Sequence, residues 1–170
     1  MLESDFPLAK FDAAISSAKT ANACWAALWV LATEIAGCKL FTVTTVDMAA
    51  GLARRAFSSN PDAYPVSGTK PIERNSWFAI VHDRREVFVA NTLADIAAVF
   101  PDHKLIESLG CGSVVNLPVV LAGELAATVN LLDAGGHYLP ARVAAISTRL
   151  PMPAKLALLA ARQFNAAGAG

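Results

Sequence analysis

Two aliphatic, β-branched runs, Ser113–Val120 and Glu124–Leu132, flank Gly123 and constrain this chain more than any other segment. Such a pair joined by a short glycine turn predicts a β-hairpin. Placing Gly123 at the left-handed third position of a three-residue loop, Leu121–Ala122–Gly123, opposes Val120 to Glu124 and Asn116 to Thr128. In that register Asn116, Thr128 and Asn130 share one face, while Val115, Leu117, Leu125, Val129 and Leu131 share the other. Both faces are mostly apolar, so helices should cover both sides of a mainly antiparallel sheet.

The rest of the chain fits around that hairpin. Pro7 suits a first helical turn, and Leu8, Phe11 and Ile15 follow as a stripe. A second helix is expected from Thr20 or Asn22, with Trp25, Leu28, Ala32 and Ile35 on one face and Gly37 as its stop. Leu40–Val46 and Leu52–Phe57 read as strands. Ser58–Asn75 carries Pro61, Pro65, Pro71 and Gly68 and shows no period. A stretch of that kind is a binding loop or an inert excursion, and Tyr64 within it favours a lid that seeks cover. Asn75 caps a short helix, Glu86–Ala90 is a strand, and Thr92 with Asp95 forms a capping box. His103–Leu109 and Arg142–Leu150 are helical, and a last helix follows Pro151 and Pro153 through Phe164. The expected layout is one domain over 1–170, with a helical N-terminus (6–36), a sheet core (38–133) and a C-terminal helix (140–164).

Charge and cysteine content bound the function. Fourteen basic residues cancel fourteen acidic ones, so no net field draws the chain to nucleic acid or an anionic membrane. Arg54–Arg55 and Arg84–Arg85 read as solvated turn or edge charges. The most apolar segment, Ala23–Ala36, is too short to span a bilayer, and Glu3 and Asp5 stand where a secretory leader needs positive charge. A cytoplasmic protein is expected. Cys24, Cys38 and Cys111 match no zinc or redox spacing. Cys111, between Gly110 and Gly112, is the one worth testing for reactivity. His82, His103 and His137 lack the spacing of a helical metal site, and Ser113 stands outside any GxSxG elbow. No catalytic residue, metal or cofactor is assigned.

The segment LGCGSVVNLPVVLAGELAATVNLLDAGGHY, with Pro118, Gly123 and the Leu125–Leu132 strand, resembles the closing hairpin of GAF domains. The N-terminal helix pair, the strand at Phe41 and the variable middle loops extend the resemblance from about Phe11 to Phe164. Tyr64, Pro65, Gly68, Lys70 and Pro71 are similar to the YPxxGxKP-type loop of stand-alone bacterial GAF proteins. The resemblance implies a profilin-like α/β (α+β) fold, a central mainly antiparallel sheet with helices on both faces. It also implies a small-molecule-binding sensor or regulatory domain, with any output domain on a separate chain. The cyclic-nucleotide signature of asparagine–lysine, phenylalanine and aspartate–glutamate is absent, and Cys111 has no neighbouring histidine to suit a bilin. Free methionine-(R)-sulfoxide reductases of this fold place several cysteines on middle loops, where this chain has Cys111 alone.

The expected ligand-binding residues are Phe41, Tyr64, Trp77, Phe78, His82, Phe88, Asn116, Thr128 and Asn130. Asn116 and Asn130 either bind a ligand over the sheet or pair with each other, a loop or water. The aromatics either line a pocket or fill the core. His82 with Asp83 either serves acid–base chemistry or is an exposed histidine near a helix C-terminus. Trp25 and Trp29, on neighbouring faces of one helix, suggest a homodimer through that helix and the C-terminal one. The alternatives are a small thiol-dependent reductase using Cys111, or a scaffold or dimerisation module without a cavity.

Overall fold

The computed structural model describes residues 6–167. Helix α1 (Phe6–Ser17) carries Pro7 in its first turn. Helix α2 (Ala21–Ala36) begins where the Thr20 hydroxyl accepts the Ala23 N–H at 3.1 Å. It ends at Gly37, whose φ of 72° only glycine adopts freely. Strands β1 (Leu40–Asp47), β2 (Leu52–Ser58) and β3 (Thr69–Pro71) follow. Next come α3 (Ser76–Phe78), a π-helical turn (Ala79–Asp83), β4 (Phe88–Ala90), α4 (Leu93–Ala97) and α5 (His103–Ser108). Strands β5 (Ser113–Leu121) and β6 (Glu124–Asp133) and helices α6 (Pro140–Arg149) and α7 (Pro151–Ala167) complete the order. All six strands form one antiparallel sheet, β3-β2-β1-β6-β5-β4.

The hairpin departs from the expected register. Its turn has two residues, Ala122 and Gly123, both at positive φ (49° and 81°), as a type I′ turn requires. Asn116 faces Asn130 and not Thr128. A two-residue turn alone would put Asn130 on the wrong face. A bulge rescues it: Val120 pairs with Leu125 and Val119 with Ala127, leaving Ala126 as the extra residue. The bulge also moves Leu125 to the asparagine face, against expectation, where it belongs to the same buried cluster as Leu40, Val114 and Leu132.

Other differences have local causes. Ser58–Asn75 is not structureless, because β3 pairs along the edge of β2, where Pro71 needs no donor. The strand expected from Glu86 starts at Phe88. Arg85 lies at φ 59° and the Glu86 N–H bonds to Ile80 O, so Glu86 is spent closing the π turn. Thr92 does cap α4, accepting from Asp95 N at 3.1 Å, while the Asp95 carboxylate takes the Thr92 hydroxyl proton at 2.7 Å rather than the backbone N–H of a full capping box.

Two cores lie on opposite faces. One joins α1, α2, α6 and α7 to the sheet and contains Phe11, Trp25, Leu28, Leu31, Phe57 and Leu158. Trp25 is buried there, and Trp29 packs its ring 6.4 Å from Phe57. Both tryptophans are thus used within the chain. The other core lies under α3–α5 and contains Val81, Phe88, Ile96, Ile106 and Val114. The loop after β6 is tied to the end of α2: His137 Nε2 bonds Ala36 O at 2.8 Å and the Tyr138 hydroxyl donates to Gly37 O at 3.1 Å. Among the described residues no single helix is long and apolar enough to cross a membrane; α6 and α7 meet at a 47° bend.

Candidate ligand-binding site

Strand alternation builds the floor of a chamber. Thr42 and Thr44 sit two apart on β1, so they share a face. Thr42 lies opposite Asn130 and Thr44 opposite Thr128 on β6, while Asn116 on β5 lies opposite Asn130. Five polar side chains thus form a patch across the three central strands, on the α3–α5 side. Asn116 is 4% exposed, and Thr42, Thr128 and Asn130 are buried beside it.

A hydrogen-bonded chain runs across this floor. The Trp77 Nε1–H donates to Asn116 Oδ1 at 2.9 Å. Asn116 Nδ2 donates to Asn130 Oδ1 at 2.7 Å. Asn130 Nδ2 donates to Thr42 Oγ1 at 3.1 Å and Thr44 Oγ1 at 3.4 Å. The order of this chain is forced. An indole N–H can only donate, so Asn116 must turn its oxygen to Trp77 and its amide nitrogen to Asn130. Asn130 must then present its own nitrogen to the threonines.

Above the floor is a cavity of about 340 Å³. Trp77, Val99, Phe100 and Ile106 form its apolar wall, and Arg55, Tyr64, Lys70, Glu73 and Asp102 stand around it. Tyr64 closes the loop over one side. Its hydroxyl donates to Asp102 Oδ2, and the Arg55 guanidinium sits 3.8 Å from its ring centroid. Burial, then the Asp102 carboxylate, pushes the Tyr64 phenol well above its ordinary range, so it stays a donor. Arg55 is held in turn by Pro65 O, 2.8 Å from its Nη1.

Of the nine residues expected at the site, Tyr64, Trp77, Asn116, Thr128 and Asn130 line the cavity. The other four lie elsewhere. Phe41 precedes Thr42 and must point to the opposite face, where its ring meets Phe57 at 6.1 Å. Phe88 stands behind the wall, edge-on to Phe100. Phe78 and His82 stack on each other at 4.3 Å outside the cavity, and His82 Nδ1 meets Asp83 Oδ1 at 2.7 Å. Asn116 and Asn130 pair with each other, and both also line the cavity.

Sequence reasoning missed Thr42, Thr44, Arg55 and Asp102. The threonines read as strand formers, although their spacing carried the signal. Arg54–Arg55 read as one solvated pair. Alternation splits it, with Arg54 exposed and Arg55 at the cavity. Asp102 read as a turn residue, and nothing near it in sequence points to Tyr64.

Cys111 does not line the cavity. It is 3% exposed, and burial raises its thiol, with Asp133 adding to the shift and Lys39 opposing it. Burial likewise lifts Cys38 to about 11.

No family model and no curated protein matches the sequence. Solved structures match the fold. The GAF domain of an Acinetobacter phosphoenolpyruvate-protein phosphotransferase superposes with a TM-score of 0.69 at 12% identity, covering 100% of both chains. The GAF domain of a Bacillus halodurans two-component sensor histidine kinase gives 0.66 at 9% identity, over 84% of this chain and 95% of that one. The chain has the GAF fold. Free methionine-R-sulfoxide reductase from Neisseria meningitidis, solved in complex with its substrate, also matches at 0.63 and 15% identity, over 92% of this chain and 88% of that one. Within the GAF fold of this chain, the cavity lies between the central strands and α3–α5.

Proposed function

We propose that this GAF-fold chain is a regulatory domain that reversibly holds a small molecule in the cavity over β1, β6 and β5. The observation that carries this is a polar floor beneath an apolar wall. Placing five polar side chains on a largely buried floor costs free energy that an apolar layer would avoid, and only part of their bonding capacity is used within the chain. A volume of about 340 Å³ falls in the range of small-ligand pockets. The burial of Cys111, and its distance from the cavity lining, count against it as the nucleophile of a reductase.

Native mass spectrometry of the purified protein, with a denatured control, tests the proposal. A non-covalent extra mass, or a melting shift with a small-molecule library, is expected. A bare mass together with no stabilisation by any compound would overturn it in favour of a scaffold.

A homodimer through α2 and α7 is the second part of the proposal. Its support is not the two tryptophans but the exposed row Met152, Leu156 and Leu159 on α7, with Val30 on α2. Light scattering should show a dimer that Leu156→Glu with Leu159→Glu converts to a monomer. A wild-type monomer at high micromolar concentration would end that part.

A further inference from the structure

The forced direction of the floor's hydrogen bonds has a chemical consequence. Thr42 Oγ1 and Thr44 Oγ1 both receive protons from Asn130, so each must turn its own hydroxyl proton elsewhere. No described residue accepts either proton. Thr128 lines the cavity and makes no side-chain hydrogen bond among the described residues. Asn116 Nδ2 uses one of its two protons. The floor therefore offers four X–H groups, and its spare acceptors are the unused lone pairs of the same hydroxyls and of the two amide oxygens.

The cations lie at the same end. Arg55 is the register partner of Thr44, and Lys70 pairs across β3 with Ala53 on β2. Neither is in an ion pair among the described residues. Arg55 commits one nitrogen to Pro65 O. The apolar wall of Trp77, Val99, Phe100 and Ile106 comes from α3–α5, across the floor from β2 and β3. Two carboxylates, Glu73 and Asp102, cancel the two cations, and Asp102 accepts from Tyr64. Those carboxylates disfavour a dianion such as phosphate.

Taking the cavity as the binding site, we propose that its ligand is a small monocarboxylate with an apolar body. The carboxylate is held by the Thr42, Thr44 and Arg55 donors, and the body packs on Trp77 and Phe100. At roughly 30 Å³ per water-sized unit, the cavity suits a body and carboxylate of about ten non-hydrogen atoms. The carboxylate can belong to a simple acid or to an α-amino acid, whose ammonium would meet Glu73 or Asp102. Both sources share the same carboxylate chemistry.

Calorimetric titration with 3-phenylpropanoate and 4-methylpentanoate, their carboxamides, phenylalanine, leucine and inorganic phosphate tests the proposal. At least one carboxylate should bind at least tenfold more tightly than its carboxamide and than phosphate. Tighter binding by the amino acid than by the matching acid would identify the amino-acid source. Arg55→Met and Thr44→Val should each weaken carboxylate binding at least tenfold, with partial rescue by Arg55→Lys. Equal binding of acid and carboxamide, or unchanged affinity in folded Arg55→Met and Thr44→Val, overturns the proposal. So does a neutral or cationic mass found in the cavity by native mass spectrometry, although the binding function would then stand. A bare mass with no binding of any of these probes overturns the carboxylate proposal, and the binding function falls with it only when the wider small-molecule library also gives no stabilisation.

Discussion

Asn116→Ala cuts the floor chain at its middle link. The variant loses the acceptor of Trp77 at 2.9 Å and the donor to Asn130 at 2.7 Å. Two bonds at about 0.5–1.5 kcal/mol each give a loss of about 1–3 kcal/mol in the ligand-free protein. Both stranded groups border the cavity, so water can reach them and the full desolvation penalty is avoided. For a chain of this length that is a melting-temperature drop of about 2–12 °C. Trp77→Phe removes the indole donor, costing about 0.5–1.5 kcal/mol for that bond, and with it the packing of the lost five-membered ring. The two variants delete one shared bond, so the double variant should fall short of their sum by about 0.5–1.5 kcal/mol. Urea unfolding of the four proteins, with a common slope against denaturant, measures the cycle. An Asn116→Ala loss below about 0.5 kcal/mol, with additivity within about 0.3 kcal/mol, would refute the view that the chain is an ordered, energetically coupled floor. The cycle is run without ligand, so it tests the network independently of binding.

The three thiols should resist a disulfide reagent at pH 8 in the folded protein and react fully after denaturation, because each is raised by burial. Rapid native reaction at Cys111, read by peptide mapping, would restore it as a candidate nucleophile. Alkali should weaken the fold through Cys38: the unfolded thiol ionises near 9.0 and the folded one near about 11. The folded state then holds the extra proton between those values, so stability falls as pH rises through that window, and Cys38→Ala should flatten that part of the decline. A wild-type melting temperature constant from pH 9 to 11 contradicts it. Gly112→Ala would place its Cβ 3.0 Å from Gly135 N, a backbone atom that cannot swing aside. It should cost about 1–3 kcal/mol, whereas Gly68→Ala, with nothing within 4 Å, should stay within about 0.5 kcal/mol of wild type.

Strands β1, β2, β5 and β6 were legible in the sequence because they are long and rich in β-branched or apolar residues, and Thr20, Gly37, Asn75 and Thr92 mark helix ends by local chemistry; the three-residue edge strand β3 carried no such signal. The turn was misread, yet the face of Asn116 and Asn130 was read correctly. Those two facts are linked by Ala126. A two-residue type I′ turn reverses the parity of β6, and one extra residue reverses it again. Nothing in the local residues announces that bulge, since alanine suits either pairing. What demands it is tertiary: without it Asn130 would enter the core of Leu28, Phe57 and Leu158, and Val129 would face the cavity.

The same reasoning explains the half of the site that the sequence hid. Trp77, Asn116 and Asn130 stood out because they are polar or large within apolar runs. Arg55 and Asp102 come from segments far apart in the chain, and they meet at Tyr64 only because β2 and the α4–α5 turn border one cavity. Their role also depends on direction. A tryptophan donor at one end orients two amides, and the amides orient two hydroxyls on β1, beside Arg55. The three central strands therefore differ in what they do. Strand β5 fixes the polarity, β6 passes it on, and β1 presents it to the cavity. Reversing any one amide would put two like groups face to face, so the donor-rich end is a property of the whole chain and of no single residue.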